Sequence, residues 1–208
     1  MNPEIRKFKR TDRDEVRRIA SSTASGYPRA DLQLVSDLLT GYYVRYEPEH
    51  LLVAQVDDEV VGYLSGCFNT PSCSWIKGTR VIPKAIARAI FRGEVGWKEV
   101  RYLWSFLYVT MHGGLRNKPP KGYPAHFHIN IAEGWRGKGI GSQLVEYFLG
   151  LLKESGIRGV HVRVRQSDRR AILFFKSFGF TRKNGYPIVV DGDNGFRTSR
   201  SIIYTKEL

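Results

Sequence analysis

The sequence predicts one domain of the mixed α/β (α+β) class. The chain has 208 residues, of which 42% are hydrophobic, and this is enough to build one globular core. Its first half contains a hairpin pattern, which indicates antiparallel strands. Its second half contains a strand, a glycine-rich turn, a helix and another strand, and this βαβ order implies locally parallel strands. Together these patterns predict one mixed sheet covered by helices.

The first 68 residues alternate between strand and helix patterns. Helical spacing of apolar residues predicts two helices, and two apolar runs separated by an acidic turn predict a hairpin. We expect Thr11 or Asp12 to cap the first helix, with Glu15 completing a capping box. The predicted elements are a strand at 5–9, helices at about 12–24 and 31–44, and strands at 50–56 and 60–68.

Residues 69–124 have a less regular pattern. We predict a helical insertion at about 70–122 within a single domain spanning 1–208. Pro83 precedes a helical stretch at 84–91, and an aromatic-rich segment at 98–109 is predicted to be helical. Glycine and proline pairs then indicate a loop. We expect this insertion to pack near the active site.

The pattern is clearest after residue 124. Residues 125–132 alternate, with Phe127, Ile129 and Ile131 on one face and the polar set His126, His128 and Asn130 on the other. A helix is predicted from about 140 to Gly156 because apolar residues recur along one side. The remaining predictions are a strand at 160–165, a helix at 168–178, a strand from 179 onward and a strand at 201–205.

Composition restricts the partners and the compartment. The 33 Lys and Arg exceed the 20 Asp and Glu, so the net charge is +13, which favours phosphorylated ligands. Residues 158–176 are rich in basic side chains but form no known nucleic-acid-binding signature, so no specific nucleic acid is predicted. A charged N-terminus and the lack of a long apolar run predict a cytoplasmic protein without a membrane partner.

The two cysteines, Cys67 and Cys73, are too few for a disulfide framework. No Cys or His near them in the sequence has zinc-site spacing. We therefore predict reduced thiols and no metal.

The glycine-rich turn at 136–141 carries the strongest chemical signal. Helix N-termini bind phosphate through unpaired amides, and glycines allow the backbone to approach a ligand closely. Arg136 and Lys138 add positive charge. The turn lacks the P-loop pattern and the spacing of the dinucleotide fingerprint. It therefore predicts a site for a diphosphate group.

Residues 131–141, IAEGWRGKGIG, resemble the acetyl-CoA signature of the GNAT superfamily of N-acetyltransferases. That signature is Arg or Gln, two residues, Gly, one residue, and Gly or Ala, and Arg136, Gly139 and Gly141 match it. Residues 168–180 resemble the family's second motif. Residues 123–131 are also similar to the acetyltransferase-like domain associated with some O-GlcNAc hydrolases. The resemblance implies the GNAT fold, a mixed, mostly antiparallel sheet with splayed parallel strands 4 and 5 and helices on both faces.

The resemblance also implies an activity, acetyl transfer from acetyl-CoA to a primary amine whose identity is not predicted. No metal is implied, and a homodimer is an assembly found among relatives. The pantetheine arm would pair with the backbone of Ile129 and Ile131. The implied cofactor-binding residues are Arg136, Gly137, Lys138, Gly139, Ile140, Gly141 and Ser142 in the turn, and Asp168, Ala171, Phe174 and Lys176 in the second motif. Lys176, with Arg169 and Arg170, would reach the 3′-phosphate of CoA, although a solvated helix face explains these charges equally well.

Two departures from the family concern catalysis. Phe175 occupies the position of the usual tyrosine acid, and Asp168 replaces the usual Asn. For the general base we favour His128 and then His126, because a neutral imidazole suits that role near pH 7; membership of a polar network is the alternative. A CoA-binding or partner-binding module with weak or no catalysis therefore stays open.

Four tyrosines on or beside the second predicted helix are candidates for lining the acceptor pocket. Packing in the core is the alternative for this set, Tyr27, Tyr42, Tyr43 and Tyr46.

Overall fold

The computed structural model describes residues 3–23, 32–93, 96, 119–192 and 195–208. The strands are β1 (Glu4–Lys7), β2 (Leu51–Val56), β3 (Glu59–Cys67), β4 (Ala125–Ile131), β5 (Gly159–Arg165), β6 (Thr181–Gly192) and β7 (Gly195–Glu207). The helices are α1 (Arg13–Thr23), α2 (Leu32–Tyr46), α3 (Thr70–Ile76), α4 (Ile82–Phe91), α5 (Ile140–Glu154) and α6 (Arg169–Ser177). A π-helical turn, Lys77–Val81, joins α3 to α4. Tyr27 and the helix predicted at 98–109 lie outside the described residues.

The described strands form one seven-stranded sheet in the order β1-β2-β3-β4-β5-β7-β6. The central pair β4 and β5 is parallel, and the other five pairs of neighbouring strands are antiparallel. The parallel pair follows from the helix α5 that crosses between the two strands. The predicted fold class is therefore confirmed.

Helices cover both faces of the sheet and give it two cores. On one face, α5 places Leu144 and Phe148 against inward-facing residues of β2, β3 and β4, among them Leu64 and Phe127. On the other face, α1 and α2 pack with residues such as Val53 and Tyr63. Successive strand residues point to opposite faces, and both faces are covered here. Residues of β2 and β3 are therefore buried almost throughout, which explains their continuous apolar sequence.

The β2–β3 hairpin follows its predicted turn chemistry. Asp57 and Asp58 both adopt positive φ, at 46° and 65°. Two consecutive residues in the left-handed region form the turn whose twist matches that of a hairpin, and Asp tolerates this conformation better than most residues.

Two local predictions need correction. Asp12 does not cap α1; it lies in a 3-10 turn, Arg10–Asp12, and its Oδ2 accepts a hydrogen bond from the Lys9 amide at 2.7 Å. The C-terminal hairpin is much longer than the strand predicted at 201–205, since β7 runs from Gly195 to Glu207. Cross-strand backbone bonding extends it through polar residues that carry no clear alternation.

Within residues 70–122, where we predict an insertion, the described elements are α3, the π-helical turn and α4, which follow β3 along the chain. Asn69 caps α3 through its side chain, which accepts from the Ser72 amide at 3.1 Å. Among the described residues, no helix is both long enough and apolar enough to cross a membrane.

Candidate active site

The parallel strands β4 and β5 separate soon after they meet. Their pairing consists of Ala125 with Val160 and His126 with His161. On its other side, β4 pairs with β3 from His126 to Ile131. Beyond His126, the edge of β4 that faces β5 therefore presents backbone groups unpaired by the described part of the sheet, and an extended ligand could bind there as an added strand.

The loop after β4 has an unusual backbone. Gly134, Gly137 and Gly139 all have positive φ, between 79° and 84°. A Cβ added at any of these three glycines would meet no atom within 4 Å. Glycine is therefore required there by backbone conformation and not by crowding, and each glycine faces open space.

This loop ends at the N-terminus of α5, where Gly139 is the cap residue. The Ser142 and Gln143 amides already donate to the Gly139 carbonyl at 3.1 and 3.2 Å. The amides before them precede the first intrahelical bond, so they are the donors that a helix N-terminus offers to an anion. Alternating left-handed residues in the same loop also form anion-binding concavities.

Two basic side chains of the loop make contacts that hold its shape. The Arg136 guanidinium donates through Nε to the Ile131 carbonyl at 3.1 Å. The Lys138 ammonium lies 4.4 Å from the centre of the Trp135 ring, which itself packs against the core. Both charges thus stay at the N-terminus of α5.

The second predicted motif, on α6, lies beside the start of α5. A Cβ at Gly141 would meet Phe174 at 3.5 Å and Ile129 at 3.6 Å, so these three predicted residues come together. Asp168 caps α6, since its Oδ1 accepts from the Ala171 amide at 3.0 Å. The Asp168 side chain therefore serves as a helix cap. When ionised it has no hydrogen-bond donor, whereas an Asn at this position could donate from its side-chain amide. Lys176 is exposed on α6.

Phe175 points away from solvent into the core. Its ring makes edge-to-face contacts with Phe127 and Phe180, at centroid distances of 5.9 and 5.5 Å. This burial explains why an apolar ring suits the position, and it leaves no acid at this point of α6.

His126 belongs to a directed chain of hydrogen bonds. The Thr70 hydroxyl lies 2.6 Å from the Pro124 carbonyl and 2.7 Å from Nδ1 of His126. Because a carbonyl only accepts, Thr70 donates to it and accepts from Nδ1–H. Nε2 then accepts from the Tyr43 hydroxyl at 3.0 Å, and Lys77 Nζ donates to that hydroxyl at 3.1 Å. Both ring nitrogens of His126 are thus occupied.

His128 has a different environment on the same face of β4. Its side chain is exposed, although protein surrounds it closely enough that burial, with the positive charges of Lys77 and Arg163, lowers the pKa of His128 to about 3. The combination of an exposed side chain and many surrounding protein atoms indicates that His128 lines a recess in the surface. The ring contacts Tyr43 and His126 edge-on, at 6.3 and 5.6 Å, and is neutral near pH 7.

The structure adds a buried polar cluster that the sequence did not predict. Its members come from α2 and the residue after it, the end of β3, α3, the π-helical turn and β4, and are Tyr42, Tyr43, Glu47, Cys67, Thr70, Cys73, Lys77 and His126. Tyr42 and Tyr43, considered above as pocket-lining residues, are buried within it. Burial is the main cause that raises the pKa of Tyr43 and lowers that of Lys77. Its members are far apart in sequence, so no local motif could reveal the cluster.

Comparisons with known proteins agree with this geometry. Residues 108–180 match the model of the "Acetyltransferase (GNAT) family". The chain is similar over its whole length to SsHAT, with 22% identity, 98% of that chain covered and a TM-score of 0.72. It is similar to Ard1 from Thermoplasma volcanium, with 20% identity, coverage of 100% and 99%, and a TM-score of 0.60. It is also similar to yncA from Salmonella typhimurium, solved with its cofactor acetyl-CoA, with 15% identity, coverage of 100% and 95%, and a TM-score of 0.61.

The matched segment contains β4, the glycine loop, α5, β5 and α6, which are the elements that build the splayed edge and the loop. The family model matches residues 108–180, and solved structures of this fold are similar over the whole chain. The resemblance drawn from the two sequence motifs is therefore confirmed.

Proposed function

We propose that this protein transfers an acetyl group from acetyl-CoA to a primary amine. The main support for this proposal is that β4 separates from β5 directly before the glycine loop at the N-terminus of α5. An extended arm can pair with the open edge of β4 while a diphosphate occupies the helix N-terminus. These are the two recognition features that a long, phosphorylated pantetheine ligand requires.

The residues present fit such a ligand. Open space beside Gly137 and Gly139 leaves room for phosphate oxygens, and Arg136 and Lys138 supply countercharge. Ile129 and Ile131 offer backbone groups to the arm, and the Ser142 hydroxyl is a further donor. On α6, Phe174 lies against Gly141, and Ala171 is one turn away on the same helix. We expect the exposed Lys176 to reach a more distant phosphate. When bound, acetyl-CoA supplies the acetyl group as a thioester activated towards amines.

On the acceptor side, this chain's residues must accept a proton and stabilise an oxyanion. The backbone amides of β4 provide the electrostatic stabilisation. His128 lines the recess on the opposite face of β4 from Ile129 and has no hydrogen bond to another described residue, so its ring is the better placed acceptor for the proton of an incoming amine. The occupied nitrogens of His126 give that residue a positioning role.

Burial of Phe175 supports a second candidate function, a CoA-binding module that does not turn over. Without an acid at that position, departure of the thiolate would depend on its own modest basicity. Measuring CoA binding and CoA release together separates the two functions. Binding with release above the hydrolysis background in a panel of primary amines supports the transferase. Binding with no release for any amine supports the module.

The glycine loop at 136–141, called the CoA loop below, is tested by Gly139→Asp, with Gly156→Asp as a matched control. Both glycines have positive φ, 79° and 70°, and open space around them, at opposite ends of α5. The two substitutions therefore impose similar backbone strain, but only the change at Gly139 would place a carboxylate against the diphosphate. Calorimetry should show at least about a hundredfold loss of CoA affinity in the first variant, a loss of roughly 3 kcal/mol, and little change in the second. Equal affinity in both variants would remove the assignment of the loop.

A further inference from the structure

Cys67, Cys73 and His126 converge in the buried polar cluster, on the opposite face of the sheet from the CoA loop. One potential ligand atom from each, two Sγ atoms and a ring nitrogen, lies within 4.8 Å of the others. Cys67 is 0% and Cys73 1% exposed, and neither forms a disulfide. Two thiols and an imidazole are the donors that zinc prefers.

Regular secondary structure sets this convergence. Cys67 and His126 are direct cross-strand partners in the antiparallel β3–β4 pair, so their side chains share one face. Asn69 caps α3 directly after β3, and the Cys73 amide donates to the Asn69 carbonyl at 3.0 Å. The first turn of α3 therefore places Cys73 over the same strand pair. Elements that are rigid in themselves hold all three donors.

A fourth donor and a supporting contact are also present. Glu47 Oε1 lies 3.7 Å from Cys67 Sγ, close to the spacing of roughly 3.5 Å between ligand atoms of a tetrahedral zinc ion with bonds of about 2.0–2.3 Å. Thr70 holds Nδ1–H of His126 and directs the Nε2 lone pair away from itself. Histidine ligands of metals are usually fixed in this way through their other nitrogen. Tyr43, which now donates to Nε2, would keep its bond to Lys77.

Charge also balances at this position. A divalent cation with two thiolates, one carboxylate and a neutral imidazole carries a net charge of −1, because both thiol protons leave on binding. Lys77, whose Nζ donates a hydrogen bond to the Tyr43 hydroxyl, supplies one positive charge beside the four ligands. The buried group would thus be close to neutral overall, as a low-dielectric interior requires.

We propose that Cys67, Cys73 and His126, with Glu47 as the fourth ligand, form a structural zinc site that ties α3 and the end of α2 to β3 and β4. The donor atoms of Cys67, Cys73 and His126 lie within 4.8 Å of one another, so their closure to tetrahedral spacing needs side-chain movements on the order of 1 Å. Glu47, which contacts Cys67, must also turn towards the other two ligands. The site shares His126 with the proposed acceptor side, where that residue has a positioning role, and it would stabilise the wall of the recess that contains His128.

The experiment uses the full chain, reduced with a phosphine and stripped with a chelator, and then titrated with Co²⁺. We expect one equivalent to give a thiolate-to-cobalt charge-transfer band and the visible absorption of tetrahedral cobalt, both abolished by added Zn²⁺. Cys67→Ser, Cys73→Ser and His126→Ala should each lose this spectrum. Thr70→Val, which keeps the shape of the side chain, should weaken binding by about 10–100-fold. His128→Ala, on the same strand face, should bind as the wild type does.

A second measurement avoids reliance on the variants. Because both thiols are buried, alkylation is followed at a urea concentration that unfolds the metal-free wild type; Zn²⁺ should slow the reaction of both thiols there and raise the Tm. No charge-transfer band in the reduced wild type, a band that persists in both cysteine variants, or thiols that react equally with and without Zn²⁺ would each overturn the proposal. None of these readouts involves CoA, so their failure would leave the proposed acetyl transfer untouched.

Discussion

At the scale of single residues, Asp12 shows how one carboxylate fixes a chain segment. It is 6% exposed and accepts two hydrogen bonds from the Arg6 guanidinium, at 2.7 and 2.8 Å, and one from the Lys9 amide. Burial alone would raise the pKa of Asp12, but the Arg6 and Lys9 hydrogen bonds outweigh burial and lower it. The pair joins β1 to the turn that leads into α1.

Asp12→Asn should lower the free energy of unfolding by about 1–3 kcal/mol, because it removes the charge from buried, charge-assisted hydrogen bonds. The folded-state pKa of Asp12 lies below its unfolded value, so its contribution is fully present above about pH 4 and is lost as the pH falls further. Urea unfolding at pH 7 and pH 3 should therefore show a large difference between wild type and variant at pH 7 and a smaller one at pH 3.

The matched control is Glu15→Gln. Glu15 pairs with Arg18 at 2.6 Å, but both side chains are about half exposed. Exposed pairs contribute little, so a change under about 0.5 kcal/mol is expected. A loss as large as that of Asp12→Asn would show that burial does not distinguish the two pairs.

His128 is the residue on which the proposed chemistry depends most. His128→Ala should reduce kcat by about 10²–10⁴-fold, the range that a positioned proton acceptor contributes, while the Kd for acetyl-CoA stays within about twofold. Steady-state kinetics and calorimetry measure the two quantities. His50→Ala, which removes a histidine stacked on Phe68 near the start of β2, serves as a control for the loss of an imidazole elsewhere. An unchanged kcat in His128→Ala would remove its assigned role.

At the scale of elements, the approach of α5 to β3 depends on one glycine. A Cβ at Gly66 would overlap the Phe148 ring, which lies directly against the strand. The helix α5, whose N-terminus forms part of the proposed CoA site, therefore lies close to the sheet only because this position lacks a side chain.

Gly66→Ala should destabilise the protein by about 1–3 kcal/mol, since a tightly packed core accommodates an added methyl group only with strain. Gly150→Ala is the contrasting substitution on the same helix, where an added Cβ meets nothing within 4 Å. It should stabilise the protein by about 0.5–1 kcal/mol through helix propensity. Thermal or urea unfolding reports both changes. Effects of the same sign would contradict this account of α5 packing.

At the scale of the whole molecule, a ligand that spans β4, the loop and α6 should stabilise the entire fold. CoA at about 100 times its Kd should add about 2.7 kcal/mol to the free energy of unfolding. For a domain of this length, the expected rise in Tm is roughly 5–10 °C. Differential scanning calorimetry should find this rise in the wild type and in Gly156→Asp, but not in Gly139→Asp. A rise of similar size in Gly139→Asp would place the ligand elsewhere.

The sequence by itself determined the order of most strands and helices, the βαβ unit and the glycine loop. These features are local: strand alternation repeats every two residues, helical stripes every 3.6, and positive φ requires particular residues within a single turn. The motif around Arg136, Gly139 and Gly141 is also local, because it lies within one turn and the start of one helix. It therefore indicates a phosphate site without knowledge of the rest of the fold.

Only the tertiary structure decided how far β4 and β5 pair, how the C-terminal hairpin extends, and which polar side chains meet. The β3–β4 register sets Cys67 opposite His126, and α3 brings Cys73 to both. Such convergence depends on packing between segments that are distant along the chain. No spacing rule encodes it, because the same local patterns are compatible with many registers.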